Sequence, residues 1–418
     1  MAKLVYIIVD GMGDLPINAL NHKTPLEYAY KPNISLLLSH AAYGYPSVLG
    51  KLAPQSDAGV LADLGYDPVK YSTGRGWFEC LGLGMQPKDG ELSLRVNFGQ
   101  VAGGNLVSVR TFLSADELKI LEEEINSKVA MPVSFRFKSG EGYRGGLILA
   151  PAKKALSQYV SNNEPGYKVK FYKNGSKLSF ATGVKIKKVE KIKAIRKEAT
   201  YTANLLNLFI RKAIEVIKKS EVYKKRLNNK LPPPNYLFLR DAAVKDPALP
   251  DITKNFGKSW GAVVGMPLEK GIAMASGMRV ISVQEKADLQ EDLNNKGERT
   301  LSAMKMFDCV YLHIKQADSA AHLGKYSEKY AIIEAIDKFV ISKLSRALDV
   351  RAGDTLVLTC DHSTSSELKR HINSNIPVLI INKKFGQNRD FGEAGCKANH
   401  LSELKKATDI MSFVMRLL

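Results

Sequence analysis

Thr355-Leu356-Val357-Leu358-Thr359-Cys360-Asp361-His362-Ser363-Thr364 is the stretch on which the fold of this chain turns. Residues 354–358 are a short apolar, β-branched run, the signature of a buried strand, and the run stops on an acid beside an imidazole. In open α/β sheets, ligands sit in the crevice outside the carboxyl ends of the strands. The pair also has a plain structural reading, a helix cap next to a satisfied core histidine. It does not stand alone. Residues 3–9 form a second such run, ending at Asp10-Gly11-Met12-Gly13-Asp14. Residues 309–314 form a third, ending at Lys315-Gln316-Ala317-Asp318 with His322 one helical turn further on.

On either side of these strand ends the pattern alternates between apolar strands and helices. Residues 236–239, 261–264 and 280–283 read as strands, 328–348 as a long helix, and 377–381 as the last buried strand. Near the start, Thr24-Pro25-Leu26-Glu27 is a capped helix start with proline in the first turn, and 33–40 is another helix. Pro54-Gln55-Ser56-Asp57-Ala58-Gly59 then sets a serine at the head of a helical pattern. From 91 to 150 the texture changes to short alternating runs, Leu92-Ser93-Leu94-Arg95-Val96-Asn97-Phe98 the clearest, with one helix near 114–127. That texture predicts an antiparallel sheet. A basic stretch follows, with a helix over 199–219, and Leu231-Pro232-Pro233-Pro234 closes it like a linker. The expected architecture is α/β. Residues 1–85 and 236–418 form a discontinuous core with a mostly parallel sheet flanked by helices, and 86–235 form an inserted α+β domain that binds substrate or acts as a lid.

Composition narrows the classes. A chain of 418 residues, 45% hydrophobic and 25% charged, has room for a large core and a second domain. No run reaches the length of a membrane span, and the opening apolar stretch is too short for a signal peptide, so a cytoplasmic location is expected. Cys80, Cys309, Cys360 and Cys396 are scattered without paired spacing, which suggests neither a disulfide framework nor a zinc ribbon. The net charge is +19, and about +16 of it lies between 151 and 235, in runs such as Lys185-Ile186-Lys187-Lys188 and Lys224-Lys225-Arg226. A uniformly basic surface points to nucleic acid. A basic segment interleaved with Val, Ile and Leu reads instead as the solvated face of helices and strands.

Asp318 and His322 share one face of a helical turn, a spacing suited to presenting two ligands to one ion. His371 follows soon after His362; alone it reads as a surface histidine, and beside Asp318, His322, Asp361 and His362 it joins the candidate ligands. His22, His40, His313 and His400 are read as ordinary. Mixed Asp/His donors without thiolates suit Mn, Zn or Mg rather than a structural zinc. Two such ions, about 3.5–4 Å apart, clamp the attacking and leaving oxygens of a phosphoryl transfer. Ser56 supplies a nucleophile that a metal ion activates and a helix N-terminus favours as an anion. It is equally suited to being an N-cap, and the two roles are compatible.

Val9-Asp10-Gly11-Met12-Gly13-Asp14, Pro54-Gln55-Ser56-Asp57-Ala58-Gly59, Tyr71-Ser72-Thr73-Gly74-Arg75-Gly76, His313-Ile314-Lys315 with Asp318 and His322, and Asp361-His362-Ser363-Thr364 together carry a resemblance. The chain resembles the alkaline phosphatase superfamily, and more narrowly the archaeal type of cofactor-independent (2,3-bisphosphoglycerate-independent) phosphoglycerate mutase. The likeness runs nearly end to end; Phe98, Thr200-Tyr201-Thr202-Ala203-Asn204 and Arg226 carry it through the insert. It implies an alkaline-phosphatase-like core and an isomerase of glycolysis and gluconeogenesis that interconverts 3-phosphoglycerate and 2-phosphoglycerate without 2,3-bisphosphoglycerate. It also implies two divalent ions, manganese first, with Mg, Co or Zn as alternatives. One ion takes Asp10, Ser56, Asp361 and His362; the other takes Asp318, His322 and His371. Ser56 then carries the phosphoryl group as a phosphoserine. Arg75, Arg95, Arg144, Arg240 and Lys315 are the candidates for holding substrate, since arginine's planar fork fits carboxylate and phosphate alike.

Two places depart from the family pattern. A Gly-rich turn expected after the 280–283 strand is replaced by Gln284-Glu285-Lys286-Ala287-Asp288. The glycine expected after the arginine at 240 is Asp241, a carboxylate that opposes anion binding. Alternatives remain on the same residues. One is a metal-dependent phosphatase or another phosphomutase of the superfamily; a second is a nucleic-acid-binding protein that uses the basic insert.

Overall fold

Leu4–Val9 is apolar at every position and buried at every position, as expected of a strand covered on both faces. The structure is a computed structural model that describes residues 2–181, 188–388 and 390–418. The Lys185-Ile186-Lys187 part of the basic run lies outside the described residues. The chain divides into two compact units, Met1–Lys70 with Leu249–Leu418, and Tyr71–Ala248.

In the first unit Leu4–Val9 sits inside a seven-stranded sheet. The order is Arg279–Ser282, Trp260–Val264, Cys309–Ile314, Leu4–Val9, Thr355–Thr359, Val378–Ile381, Ala41–Gly44. The first five strands are parallel, and Val378–Ile381 runs antiparallel to both of its neighbours. Register pairs Val9 with Ile314 and Ile8 with Thr359, so Asp10, Lys315 and Asp361 emerge side by side at one end of the sheet. The long helix predicted over 328–348 runs from Tyr326–Ile336 to Ser342–Ala347 through a π-turn, Asp337–Ile341. The Asp337 carboxylate accepts from the backbone amides of Asn33 and Ile34, which start a helix whose own N-cap, Lys31, makes no side-chain bond.

The second unit is built on Leu92–Ala102, with Arg144–Leu149 and Tyr236–Ala243 on either side, Phe135–Ser139 beyond the former and Asn105–Ser108 pairing its far end. Strand alternation sends Leu92, Leu94, Val96 and Phe98 into an apolar layer shared with the helices Ala115–Lys128 and Thr200–Lys219. It turns Ser93, Arg95 and Asn97 to the opposite face, where they are buried as well. The 236–239 strand, expected to return the chain to the parallel core, joins this antiparallel sheet instead. Arg240 pairs with Arg95 and Leu237 with Phe98, and Leu237 and Leu239 complete the same apolar layer. The Arg75–Gly82 helix belongs to this unit too, so the units divide at 70/71 and 248/249, against the expected 85/86 and 235/236.

Candidate active site

Three histidines of the first unit present the same nitrogen. His371 Nδ1 lies 2.8 Å from the Pro54 carbonyl and His322 Nδ1 3.1 Å from the Lys369 carbonyl. A carbonyl only accepts, so both Nδ1 atoms carry the proton. The Thr364 hydroxyl donates to Asp318 Oδ1 at 2.9 Å and so receives the Nδ1 proton of His362 at 3.1 Å. All three rings therefore turn Nε2 toward carboxylates. His322 and His371 Nε2 lie 3.3 and 3.4 Å from Asp318 Oδ1, and His362 Nε2 lies 3.3 Å from both Asp10 Oδ1 and Asp361 Oδ2. A divalent cation placed among these nitrogen and carboxylate oxygen atoms would be held by both kinds of donor. Asp10 Oδ1 and Asp361 Oδ2 are buried and have no hydrogen-bond partner among the described residues. One ligand atom each from Asp318, His362 and His371, and one each from Asp10, Asp361 and His362, lie within 4.8 Å of one another.

Ser56 reaches the same point. It opens the helix Ser56–Asp63, whose N-cap is Gln55, and its Oγ lies 3.4 Å from His362 Nε2. The cap role open to it in the sequence falls one residue earlier. Close approach is enforced by glycine: a Cβ at Gly59 would stand 2.2 Å from the Asp361 carbonyl. Gly11, at φ +63, turns its amide to Asp361 Oδ1 at 3.1 Å. Behind the turn, the buried Lys329 ammonium donates to Gly13 O, Asp14 Oδ2 and Thr364 O, joining the Asp10 and Asp361 segments.

Charges are set by burial and by one lysine. Burial pushes the Asp10 and Asp318 carboxyls up, but the Lys315 ammonium, in contact with Asp10 and 3.5 Å from Asp318, acts with the neighbouring histidines to outweigh it and hold both below the usual range. Burial depresses Lys315, yet Asp10 and Asp318 raise it overall. Burial and then the Asp10 charge push Asp361 well up. His362 is driven well below its ordinary value by burial and then by His371, which keeps it neutral, as a ligand must be.

The four arginines lie in the second unit. Arg75 Nε pairs with Glu79 at 2.8 Å; Arg95 Nε lies 3.4 Å from Asn97 Oδ1 and 3.7 Å from Glu79. Burial and then the Arg75 charge bring Arg95 down to about 10, with Arg240 and Arg144 also acting on it. Arg144 lies over the Tyr143 ring. Arg240 is already engaged, by Glu164 and Asp241 at 3.1 Å each, and its guanidinium stacks 3.8 Å from the centre of the Tyr167 ring. Asp241 stands at φ +59, the left-handed region that glycine favours; burial raises its carboxyl, and Arg240 and Ser179 outweigh that to bring it to about 2. An arginine balanced by two buried carboxylates is a weaker anion ligand than Arg95 or Arg144.

A family model described as 2,3-bisphosphoglycerate-independent phosphoglycerate mutase matches residues 45–223. A relative of that name from Sulfolobus acidocaldarius is 34% identical over 90% of this chain and 88% of its own length. The chain belongs to this family. A second member, from Thermococcus kodakarensis, is 31% identical over 100% of this chain and 97% of its own. Among solved structures, a Pyrococcus horikoshii protein superposes with TM-score 0.79 at 26% identity, covering 100% of this chain and 97% of that one. A cofactor-independent phosphoglycerate mutase from Thermoplasma acidophilum gives 0.62 at 26% identity, covering both chains completely.

Within the family frame, the seven expected ligands and Lys315 come together in the first unit, and the four arginines within the second. Sequence reasoning missed three neighbours. His313, read as ordinary, is buried with its Nδ1 2.8 Å from the Tyr311 hydroxyl and its Nε2 3.6 Å from Asp10 and 3.7 Å from Glu269. The available signal was its place at the end of the Cys309–Ile314 strand. Glu269 carries no sequence signal, because only packing across strands brings it there. Thr364, quoted for its motif, orients both His362 and Asp318.

Proposed function

We propose that this chain is an isomerase that interconverts 3-phosphoglycerate and 2-phosphoglycerate through a phosphoserine at Ser56. The observation that carries it is the His362 Nε2 atom, which lies beside Ser56 Oγ and faces the orphaned carboxylate oxygens of Asp10 and Asp361. These donors fit divalent ions, and manganese is the first choice. One would be held by Asp10, Ser56, Asp361 and His362, the other by Asp318, His322 and His371. Bound there, such ions supply the positive charge that lowers the proton affinity of the Ser56 hydroxyl and offsets charge on the phosphoryl oxygens.

The chain's own residues do the rest. Ser56 Oγ gives up its proton and attacks phosphorus; the Oγ–P bond forms as the bond to the 3-oxygen breaks, and that oxygen takes up a proton in exchange. Lys315 holds a cation beside Asp10 and Asp318 throughout. Glycerate then turns, its 2-hydroxyl loses its proton and attacks, and the Oγ–P bond breaks as Ser56 Oγ regains a proton, so no water is consumed. Arg75, Arg95 and Arg144 bind the substrate's anionic groups, and the second unit is the substrate-binding domain. Arg240, balanced by Glu164 and Asp241, supports them.

The test is phosphorus NMR of the enzyme with Mn replaced by Mg to avoid paramagnetic broadening. The expected product is 2-phosphoglycerate without inorganic phosphate, together with a phosphopeptide containing Ser56 in acid-quenched protein. Ser56 is not the helix cap, so Ser56→Ala removes only the hydroxyl and should cut turnover by about 10³-fold or more with the fold intact. Release of inorganic phosphate as the main product, or an active Ser56→Ala enzyme, overturns the mechanism.

A further inference from the structure

The segment Gln284-Glu285-Lys286-Ala287-Asp288 builds a charged cluster that the chemistry above does not use. Glu285 Oε2 and Asp292 Oδ2 accept from the Lys296 ammonium at 2.9 and 2.7 Å, and the Lys296 side chain has no exposed surface. The same two oxygens accept from Gln316 Nε2 at 3.1 and 2.6 Å. The other Asp292 oxygen accepts from the Lys286 amide at 2.9 Å, tying the segment to the helix Leu289–Met304. Room for this comes from Gly265, where a Cβ would stand 2.3 Å from Glu285 Oε1.

Gln316 is the first residue of Gln316–Leu323, the helix that carries Asp318 and His322. Lys315, its N-cap, makes no side-chain capping bond and is turned to Asp10. A helix of two turns does not hold its own place; tertiary contacts must do so. At its last turn the His322 ring is anchored on Lys369 O. At its first turn the anchor is the Gln316 amide, gripped by the buried Asp292 and half-buried Glu285 carboxylates, whose own positions are fixed by Lys296.

We propose that Gln316 is a positioning residue for the ion held by Asp318, His322 and His371, with the Glu285–Asp292–Lys296 cluster as its anchor. This rests on reading those three residues as an ion site. Two carboxylates oppose one ammonium in the cluster, so the glutamine N–H groups supply donors that Lys296 alone does not. Losing them lets the first turn of the helix move, and Asp318 lies within that turn. Partners that orient metal ligands typically contribute about 10- to 100-fold in metal affinity.

The experiment uses the full chain, stripped by chelator and titrated with Mn²⁺ alone by calorimetry. Gln316→Met keeps the length of the side chain, removes the amide and leaves Lys296 with both carboxylates. Wild type should bind two ions. The variant should bind one with unchanged affinity and the other about 10- to 100-fold more weakly. Its kcat at limiting Mn²⁺ should fall and recover with excess Mn²⁺, while KM and the thermal midpoint stay near wild type. Gln316→Asn, which draws the amide back by one methylene, should weaken the same ion. Two unchanged ion affinities in Gln316→Met and Gln316→Asn, or equal weakening of both with a lowered thermal midpoint, overturn the assignment. A wild type that binds no Mn²⁺ overturns the ion reading itself, a distinct result.

Discussion

Replacing Lys329 by methionine keeps the aliphatic stem and removes an ammonium that donates to Gly13 O, Asp14 Oδ2 and Thr364 O at 3.0, 3.0 and 2.9 Å. Asp14 stays buried and loses its only ion-pair partner among the described residues. Its carboxylate still accepts from the Ser366 amide and hydroxyl and from the Leu15 amide, and Gly13 O still accepts from the Thr364 amide. Breaking a buried pair by removing one partner costs about 3–5 kcal/mol; the retained bonds put this case at about 3 kcal/mol. The chain has two tryptophans, Trp77 in the second unit and Trp260 in the first. In a Trp77→Phe background, urea unfolding followed by emission reports the first unit alone. Adding Asp14→Asn removes the stranded charge and should recover about 1 kcal/mol or more. A loss under about 1 kcal/mol for Lys329→Met, or no recovery in the double variant, refutes the view that this ion pair pins the two segments together.

Glu393, buried between the Thr24 hydroxyl and the Asp14 amide, is pushed by burial up to about 7. A carboxyl raised in the folded state makes its full contribution at low pH and loses it as pH climbs from about 4.5 to about 7, a loss of about 3 kcal/mol. Glu393→Gln should therefore gain stability relative to wild type across that window, and a thermal-midpoint difference that does not grow with pH refutes it. Exhaustive chelation should abolish turnover while leaving the far-ultraviolet circular dichroism unchanged, with Mn restoring activity; full activity after dialysis removes the ions from the mechanism. Arg95→Ala should lower kcat/KM for phosphoglycerate by about 10- to 100-fold with metal content unaltered, and unchanged kinetics remove Arg95 from the substrate site.

The strand ends were legible in the sequence because each carries its chemistry within four residues of an apolar run. Asp10, Asp318, Asp361 and His362 could be read that way, and the parallel sheet then brings them together. What the sequence hid depends on partners far along the chain. Residues 236–239 are an apolar run like that of a buried core strand, and only pairing with Leu92–Ala102 assigns them to the antiparallel sheet. Lys296, set among polar helix residues, reads as exposed; two carboxylates and a glutamine make it buried. Glu269 reaches the site from a helix with no motif of its own. Ser56 was ambiguous between cap and nucleophile because those positions differ by one residue, and the helix begins one residue after the cap.

Leu4–Val9 lies between two strands that the ribosome makes late. Its neighbours, Cys309–Ile314 and Thr355–Thr359, follow it by roughly 300 residues or more, about 15–60 s of synthesis at 5–20 residues per second. Throughout that interval an apolar strand with two open edges must stay unpaired, while Tyr71–Ala248 has emerged with its whole sheet and can complete itself. Assembly thus runs from the middle of the chain outward, and Asp10 waits for Asp361. Truncated nascent chains halted before residue 309 should protect the middle segment from protease and leave the amino-terminal strand a target for chaperones.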